Sequence, residues 1–197
     1  MAIEKSEARK GIKTKEGAIM ANKRFQLDEE KADLDKDGEV SSYEKAKGKF
    51  GTVVMFICNH CPYVKHLFNV INIVSKEYQN KGINFVAISS NDILNFPEDS
   101  PELMKETAIT QNFSFPYLYD ESQEIAKKYD AACTPDFFLF NNKDLLVYRG
   151  QIDESRPGNN LPSNGEDLKN AMECLLLGTK NYKKQKPIIG CNIKWKE

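Results

Sequence analysis

The feature that most restricts the fold is the junction Cys58-Asn59-His60-Cys61, which stands between two segments of opposite periodicity. Before it, Thr52-Val-Val-Met-Phe-Ile-Cys58 is a β-branched and aromatic run with the length of a buried strand. After it, Val64, Leu67, Phe68, Ile71, Val74 and Tyr78 recur at spacings of three and four, with one step of one, and draw a single apolar stripe along a helix. Ile83-Asn-Phe-Val-Ala-Ile88 then reads as a second buried strand. Two strands joined by a helical crossover of roughly 20 residues lie parallel, so the cysteines fall at the carboxyl end of the first strand, where the helix begins.

The rest of the chain completes an α/β pattern. Ser100-Pro101-Glu102 supplies a cap, a first-turn proline and an acid for a helix running to about Gln111. Phe115–Tyr119 reads as a short strand and Glu121–Tyr129 as a short helix. Asp136–Phe140 and Leu145–Tyr148 flank the polar connection Asn141-Asn142-Lys143-Asp144, which suits a hairpin. A loop of Gly, Pro, Asn and Ser over 151–165 leads to a closing helix at Glu166–Leu177, with Leu168, Met172 and Leu175 or Leu176 on one face and Gly178 at its end. This order predicts a central mixed β-sheet flanked by helices over 51–180, after a polar N-terminal extension (1–32) and a segment 33–50, and before a C-terminal tail (181–197).

Charge excludes some partners. Lys and Arg number 28 against 29 Asp and Glu, and a net charge of -1 gives no general attraction to nucleic acid or an acidic membrane surface. No apolar run approaches the roughly 20 residues of a membrane-spanning helix, and the opening Met-Ala-Ile-Glu-Lys-Ser-Glu lacks the apolar core of a signal peptide; the expected compartment is the cytoplasm. The five cysteines, Cys58, Cys61, Cys133, Cys174 and Cys191, are odd in number and too few for a secreted disulfide scaffold, so paired ones point to redox catalysis or metal binding.

The C-x-x-C spacing brings two sulfurs together across one helical turn, and the unpaired N–H groups at a helix start favour an anion there. On that reading Cys58 is the attacking thiolate and Cys61, one turn deeper, resolves the mixed disulfide. A partly protonated His60 beside the Cys58 sulfur stabilises the reduced dithiol and raises the reduction potential. Two other readings stay open: packed, inert thiols, or a metal held by Cys58, His60, Cys61 and Cys133.

Asp33-Leu-Asp35-Lys-Asp37-Gly38-Glu39-Val40-Ser41-Ser42-Tyr43-Glu44 matches a twelve-residue calcium loop, with acids at positions 1, 3, 5 and 12, glycine at 6 and the Glu39 carbonyl as a further ligand. The same residues also read as a hairpin turned at Asp37-Gly38, so segment 33–50 is either hairpin or calcium site.

Four separated motifs resemble the thioredoxin-like superfamily, and within it the redoxin, or peroxiredoxin-like, branch. They are Gly51-Thr-Val-Val-Met-Phe-Ile-Cys-Asn-His-Cys-Pro-Tyr-Val64, Ala132-Cys-Thr-Pro-Asp-Phe-Phe138, Tyr148-Arg-Gly-Gln-Ile-Asp-Glu-Ser-Arg-Pro-Gly158 and Gly190-Cys-Asn-Ile-Lys-Trp195. The resemblance implies that Pro135 is a cis-proline lying against the cysteine pair, with Thr134 exposing backbone to an extended substrate. It also implies that the loop carrying Cys133 faces the pair, and that the tail carrying Cys191 packs on the domain. The chain departs from the thioredoxin pattern at Thr52, where an acid is usual, and from true peroxiredoxins at Gly51 and Met55, where Pro and Thr are usual.

The expected protein is a monomeric thiol-disulfide oxidoreductase acting on protein or small-molecule disulfides with a dithiol reductant, needing no cofactor. Asn59, His60, Thr134 and Pro135 tune or bind, Cys133 and Cys191 are accessory thiols, and Arg149 and Arg156 are rim residues steering acidic substrates or a thiolate. Cys174 is expected in the core. A thiol-dependent peroxidase using Cys58, with Cys61 or Cys133 as resolver, and a module binding calcium or thiolate-held metal are the alternatives.

Overall fold

The structure, a computed structural model, describes residues 46–197. Asp33, Asp35, Asp37, Glu39 and Glu44, and with them the choice between hairpin and calcium loop, lie outside the described residues.

A five-stranded mixed sheet runs in the order β3-β2-β1-β5-β6. Its strands are β1 (Gly51–Phe56), β2 (Ile83–Ser89), β3 (Tyr117–Tyr119), β5 (Asp136–Asn141) and β6 (Leu146–Gly150). β1 pairs parallel with β2 and antiparallel with β5, so the strand that ends at the cysteines is the centre of the sheet. A second, two-stranded ladder joins β4 (Cys133–Thr134) antiparallel to β7 (Cys191–Asn192).

Helix α1 (Pro62–Gln79) buries the whole stripe read from the sequence. It shares one face of the sheet with α4 (Glu166–Leu176) and with Val53, Met55, Phe85, Phe137 and Leu139. The alternate residues Val54, Phe56, Val86, Ile88, Phe138 and Phe140 turn to the other face, against Ile125, Ala126 and Tyr129 of α3 (Glu124–Tyr129). Because both faces are covered, the central strands read as continuous apolar runs rather than alternating ones. Each fully buried aliphatic or aromatic side chain contributes about 1.5–3 kcal/mol of transfer free energy, which fixes the strand-to-helix junction at the end of β1 as part of the core.

Capping follows local rules. Ser100 accepts from the Leu103 N–H at the start of α2 (Pro101–Thr110), with Pro101 at the first turn. Gly178, at φ +66°, closes α4, its N–H donating to the Leu175 carbonyl. The expected core position of Cys174 is corrected: it is half-buried, because the stripe of α4 that meets the sheet is Leu168, Ala171 and Met172. No helix among the described residues is long and apolar enough to cross a membrane.

Candidate active site

β1 ends at Phe56, the Ile57 N–H donates to the Ile88 carbonyl at 2.9 Å, and the chain then leaves the sheet at Cys58. Pro62 is the first residue of α1, which makes Cys61 its N-cap. Cys61 is therefore not one turn inside the helix, as the spacing alone suggests, and it is the Cys61 sulfur that meets the free backbone at the Val64 position. Cys58 and Cys61 are 1% and 0% exposed.

The four-residue loop is held by a residue that the sequence reading missed. Asp99 belongs to a 3₁₀ turn (Pro97–Asp99) and is fully buried. One carboxylate oxygen accepts from the Asn59 and His60 N–H groups at 2.7 and 3.2 Å; the other accepts from Asn91 Nδ2 at 2.7 Å and pairs with His60 Nδ1 at 2.6 Å. Asn59 adds a bond from Nδ2 to the Glu98 carbonyl at 2.8 Å and accepts from the Tyr117 hydroxyl at 3.2 Å. The His60 ring stacks on Phe96, with centroids 5.3 Å apart. The only sequence signal for Asp99 is its place in the turn ahead of a helix; its approach across 40 residues depends on the fold.

Opposite the loop stands Thr134-Pro135, whose peptide bond is cis, as the resemblance implies. The Thr134 hydroxyl lies 3.3 Å from Cys58 Sγ, and the Thr134 carbonyl accepts from Cys61 Sγ at 3.3 Å. A third sulfur comes from the tail: Cys191 Sγ is 2.9 Å from Cys61 Sγ. Cys133 instead directs its thiol to the Pro135 carbonyl at 3.7 Å and lines a cavity of about 590 Å³ with Asp136, Tyr148, Arg149 and Ile188. Strand β4 is the reason, since successive residues point to opposite sides.

The thiols share protons unequally. A hydrogen bond from Cys58, helped by one from Cys191 and by the Val64 backbone and opposed by burial, holds the Cys61 thiol down at about 4. The same bond to Cys61 pushes Cys58 well up, and burial and the Asp99 charge push in the same direction. The hydrogen bond between the two thiols therefore favours a single negative charge shared by the pair at the start of α1. The helix start lies at Cys61, and a buried carboxylate lies behind Cys58. Burial pushes Cys191 up to about 11 and Cys133 up to about 12.

The two arginines serve the frame. Arg149 reaches Asp136 at 3.1 Å and the Asp130 carbonyl at 2.6 Å and covers the Phe138 ring; Arg156 donates to the Asp153 and Ser155 carbonyls and to Gln151. Both guanidinium groups tie loops to strands, and Arg149 also shares the cavity of Cys133, where its charge favours that thiolate. For a cation, Cys58, His60 and Asp99 offer ligand atoms within 4.8 Å of one another. Both Asp99 oxygens already accept two hydrogen bonds each, however, and a cation there has to displace His60 or Asn91.

A redoxin family model matches residues 20–168, a span that contains β1, the cysteine loop, α1, the buried Asp99 and the cis-proline. The chain belongs to the redoxin family. This redoxin is 54% identical to an uncharacterized conserved protein from Geobacillus kaustophilus, over 78% of this chain and 81% of that one, with a TM-score of 0.76. A hypothetical protein from Sinorhizobium meliloti is 42% identical over 78% and 84% of the two chains, also with a TM-score of 0.76. A thiol:disulfide interchange protein of the thioredoxin family from Chlorobium tepidum shares the fold at 16% identity, with a TM-score of 0.52 over 68% and 83%. No curated protein matches the chain. Family and fold support a thioredoxin-like redox function and oxidoreductase activity.

Proposed function

We propose that this redoxin is a thiol-disulfide oxidoreductase in which Cys58 and Cys61 cycle between dithiol and disulfide. The observation that carries the reading is the placement of both sulfurs at the start of α1 against Thr134, Cys58 Sγ 3.3 Å from its hydroxyl and Cys61 Sγ 3.3 Å from its carbonyl, beside cis-Pro135. The hydrogen bond from Cys58 favours ionisation at Cys61, and the thiolate is the reactive form of sulfur.

Attack on a substrate disulfide forms a sulfur–sulfur bond to one cysteine, with the substrate's second sulfur leaving as thiolate; the other cysteine then displaces the first substrate sulfur and closes the Cys58–Cys61 bond. Cys58, 1% exposed in this structure, is the attacking residue of this proposal once the site opens, and Cys61 the resolving one. The attack needs the shared proton to pass from Cys58 to Cys61 across their hydrogen bond. Thr134 and Pro135 offer backbone to the extended partner, and His60 with Asp99 sets the charge behind Cys58.

The test is disulfide reduction by purified protein with a dithiol donor, against Cys58→Ser and Cys61→Ser. Both variants lose turnover by on the order of a hundredfold or more, and Cys61→Ser accumulates a mixed disulfide with substrate. Full activity in either variant, or dithiol-dependent peroxide consumption in place of disulfide reduction, overturns the reading.

A further inference from the structure

The tail raises a question that the pair alone does not answer. With the tail in place, Cys58 and Cys61 are 1% and 0% exposed, so no outside sulfur reaches them in line. Cys191 is half-buried and touches Cys61. Its placement is built on both sides. Before it, Gly190 passes so close to β4 that a Cβ there stands 2.2 Å from the Thr134 carbonyl oxygen. After it, Ile193 is 2% exposed against the second face of the sheet. The Lys194 N–H donates to Asn91 Oδ1 at 2.8 Å, and Gln123 Nε2 donates to the Lys194 carbonyl at 2.8 Å. Asn91 also holds Asp99, so one side chain registers the tail and the cysteine loop against each other.

We propose that Cys191 is a third redox thiol of this site, relaying electrons between the buried Cys58–Cys61 pair and a dithiol or disulfide outside. This rests on the reading that Cys58 and Cys61 form a disulfide. With the pair oxidised, the Cys191 thiolate attacks Cys61 Sγ. The Cys61–Cys191 bond forms, the Cys58–Cys61 bond breaks, and Cys58 leaves as the thiolate that takes up the proton Cys191 gave. A dithiol donor then attacks Cys191 Sγ, and Cys61 leaves as thiolate. The donor's second thiol displaces Cys191 and leaves as donor disulfide, so two electrons have entered and all three cysteines are reduced. Run backwards, the same steps pass electrons from the pair to an outside disulfide.

The test uses the full chain. Wild type, Cys58→Ser and Cys191→Ser are oxidised with diamide, blocked with N-ethylmaleimide, digested and mapped by mass spectrometry; reduction of the oxidised proteins by dithiothreitol is timed in parallel. The relay expects a Cys61–Cys191 disulfide as the main product in Cys58→Ser. It also expects Cys191→Ser to form the Cys58–Cys61 disulfide yet be reduced about tenfold or more slowly than wild type. A Cys58–Cys61 disulfide in wild type with no Cys61–Cys191 bond in Cys58→Ser overturns the relay and leaves the function reading standing. Reduction of Cys191→Ser at the wild-type rate or faster does the same, making the tail a cover only. No Cys58–Cys61 disulfide in wild type overturns both.

Discussion

The cysteine loop and the tail meet at Thr134, and they are held there by different forces. The loop is bounded by β1 and α1, both within the core, and is clamped by a fully buried carboxylate. The tail is held by a two-residue ladder, by hydrogen bonds to Asn91 and Gln123, by one buried aliphatic side chain, Ile193, and by the partly buried Ile188. A segment held mostly by polar contacts opens at less cost than one continuous with the core. The site thus joins a pair of sulfurs set in the core to a third on a more lightly held strand, which is expected to undock without the domain unfolding.

One substitution made in both places sharpens that contrast most. Ile71 and Ile193 are 1% and 2% exposed. Ile71→Ala is expected to destabilise the domain by about 3 kcal/mol in denaturant unfolding, through lost transfer free energy and a cavity against the sheet. The cost of Ile193→Ala is capped by the free energy of docking the tail. It is therefore expected to shift the midpoint less and to raise hydrogen exchange only around residues 190–196. Equal losses at the two positions break the comparison.

The loop's charge gives the next effect. In the folded reduced protein the Cys61 thiol ionises at about 4 against an ordinary value of 9.0. Between these values the unfolded chain holds a proton that the folded chain has lost, so the stability of the reduced form rises with pH and is lost as pH falls toward about 4. Above the ordinary value, Cys58, pushed up in the fold, works in the opposite direction. Oxidation removes both thiols. The unfolding midpoint of reduced minus oxidised protein is therefore expected to rise from about pH 5 to about pH 8, and Cys61→Ala to abolish that slope. Cys191→Ala removes a hydrogen bond that favours the Cys61 thiolate, so it flattens the slope in part. A slope unchanged in Cys61→Ala places the titrating group elsewhere.

The sequence disclosed the loop far better than its surroundings. Period and turn chemistry located β1, α1 and β2 because each is a long run obeying one rule, and the stripe from Val64 to Tyr78 is buried as read. The pair Cys58 and Cys61 was legible for the same reason. The helix starts at the end of the motif, with Pro62 as its first residue and Cys61 as its N-cap, so Cys61 is not one turn inside it. Asp99 and Asn91 were invisible: polar residues in a turn carry no periodicity, and their meaning comes only from contact with residues far along the chain. The tail's Cys191 was recognised as part of a motif, but a two-residue strand is too short to signal its own partner, and nothing local says that it meets Cys61 rather than solvent.

The smallest effect on stability should come at Gly190, and it is the most direct probe of the tail. A Cβ at this position meets two backbone atoms, the Thr134 oxygen at 2.2 Å and the Thr134 carbon at 2.7 Å, neither of which is the end of a flexible side chain. Gly190→Ala therefore has to lift the tail from β4, while the core beneath keeps its packing. The expected loss of global stability is under about 1 kcal/mol, within the range of a local rearrangement rather than a core defect. Alkylation of Cys61 by a bulky maleimide should quicken by about tenfold or more, because Cys191, which touches this 0% exposed sulfur, has been lifted from it. If alkylation stays at the wild-type rate while the variant remains folded, access to the pair does not run past the tail. The division into a fixed loop and a movable strand then fails at the point where the two meet.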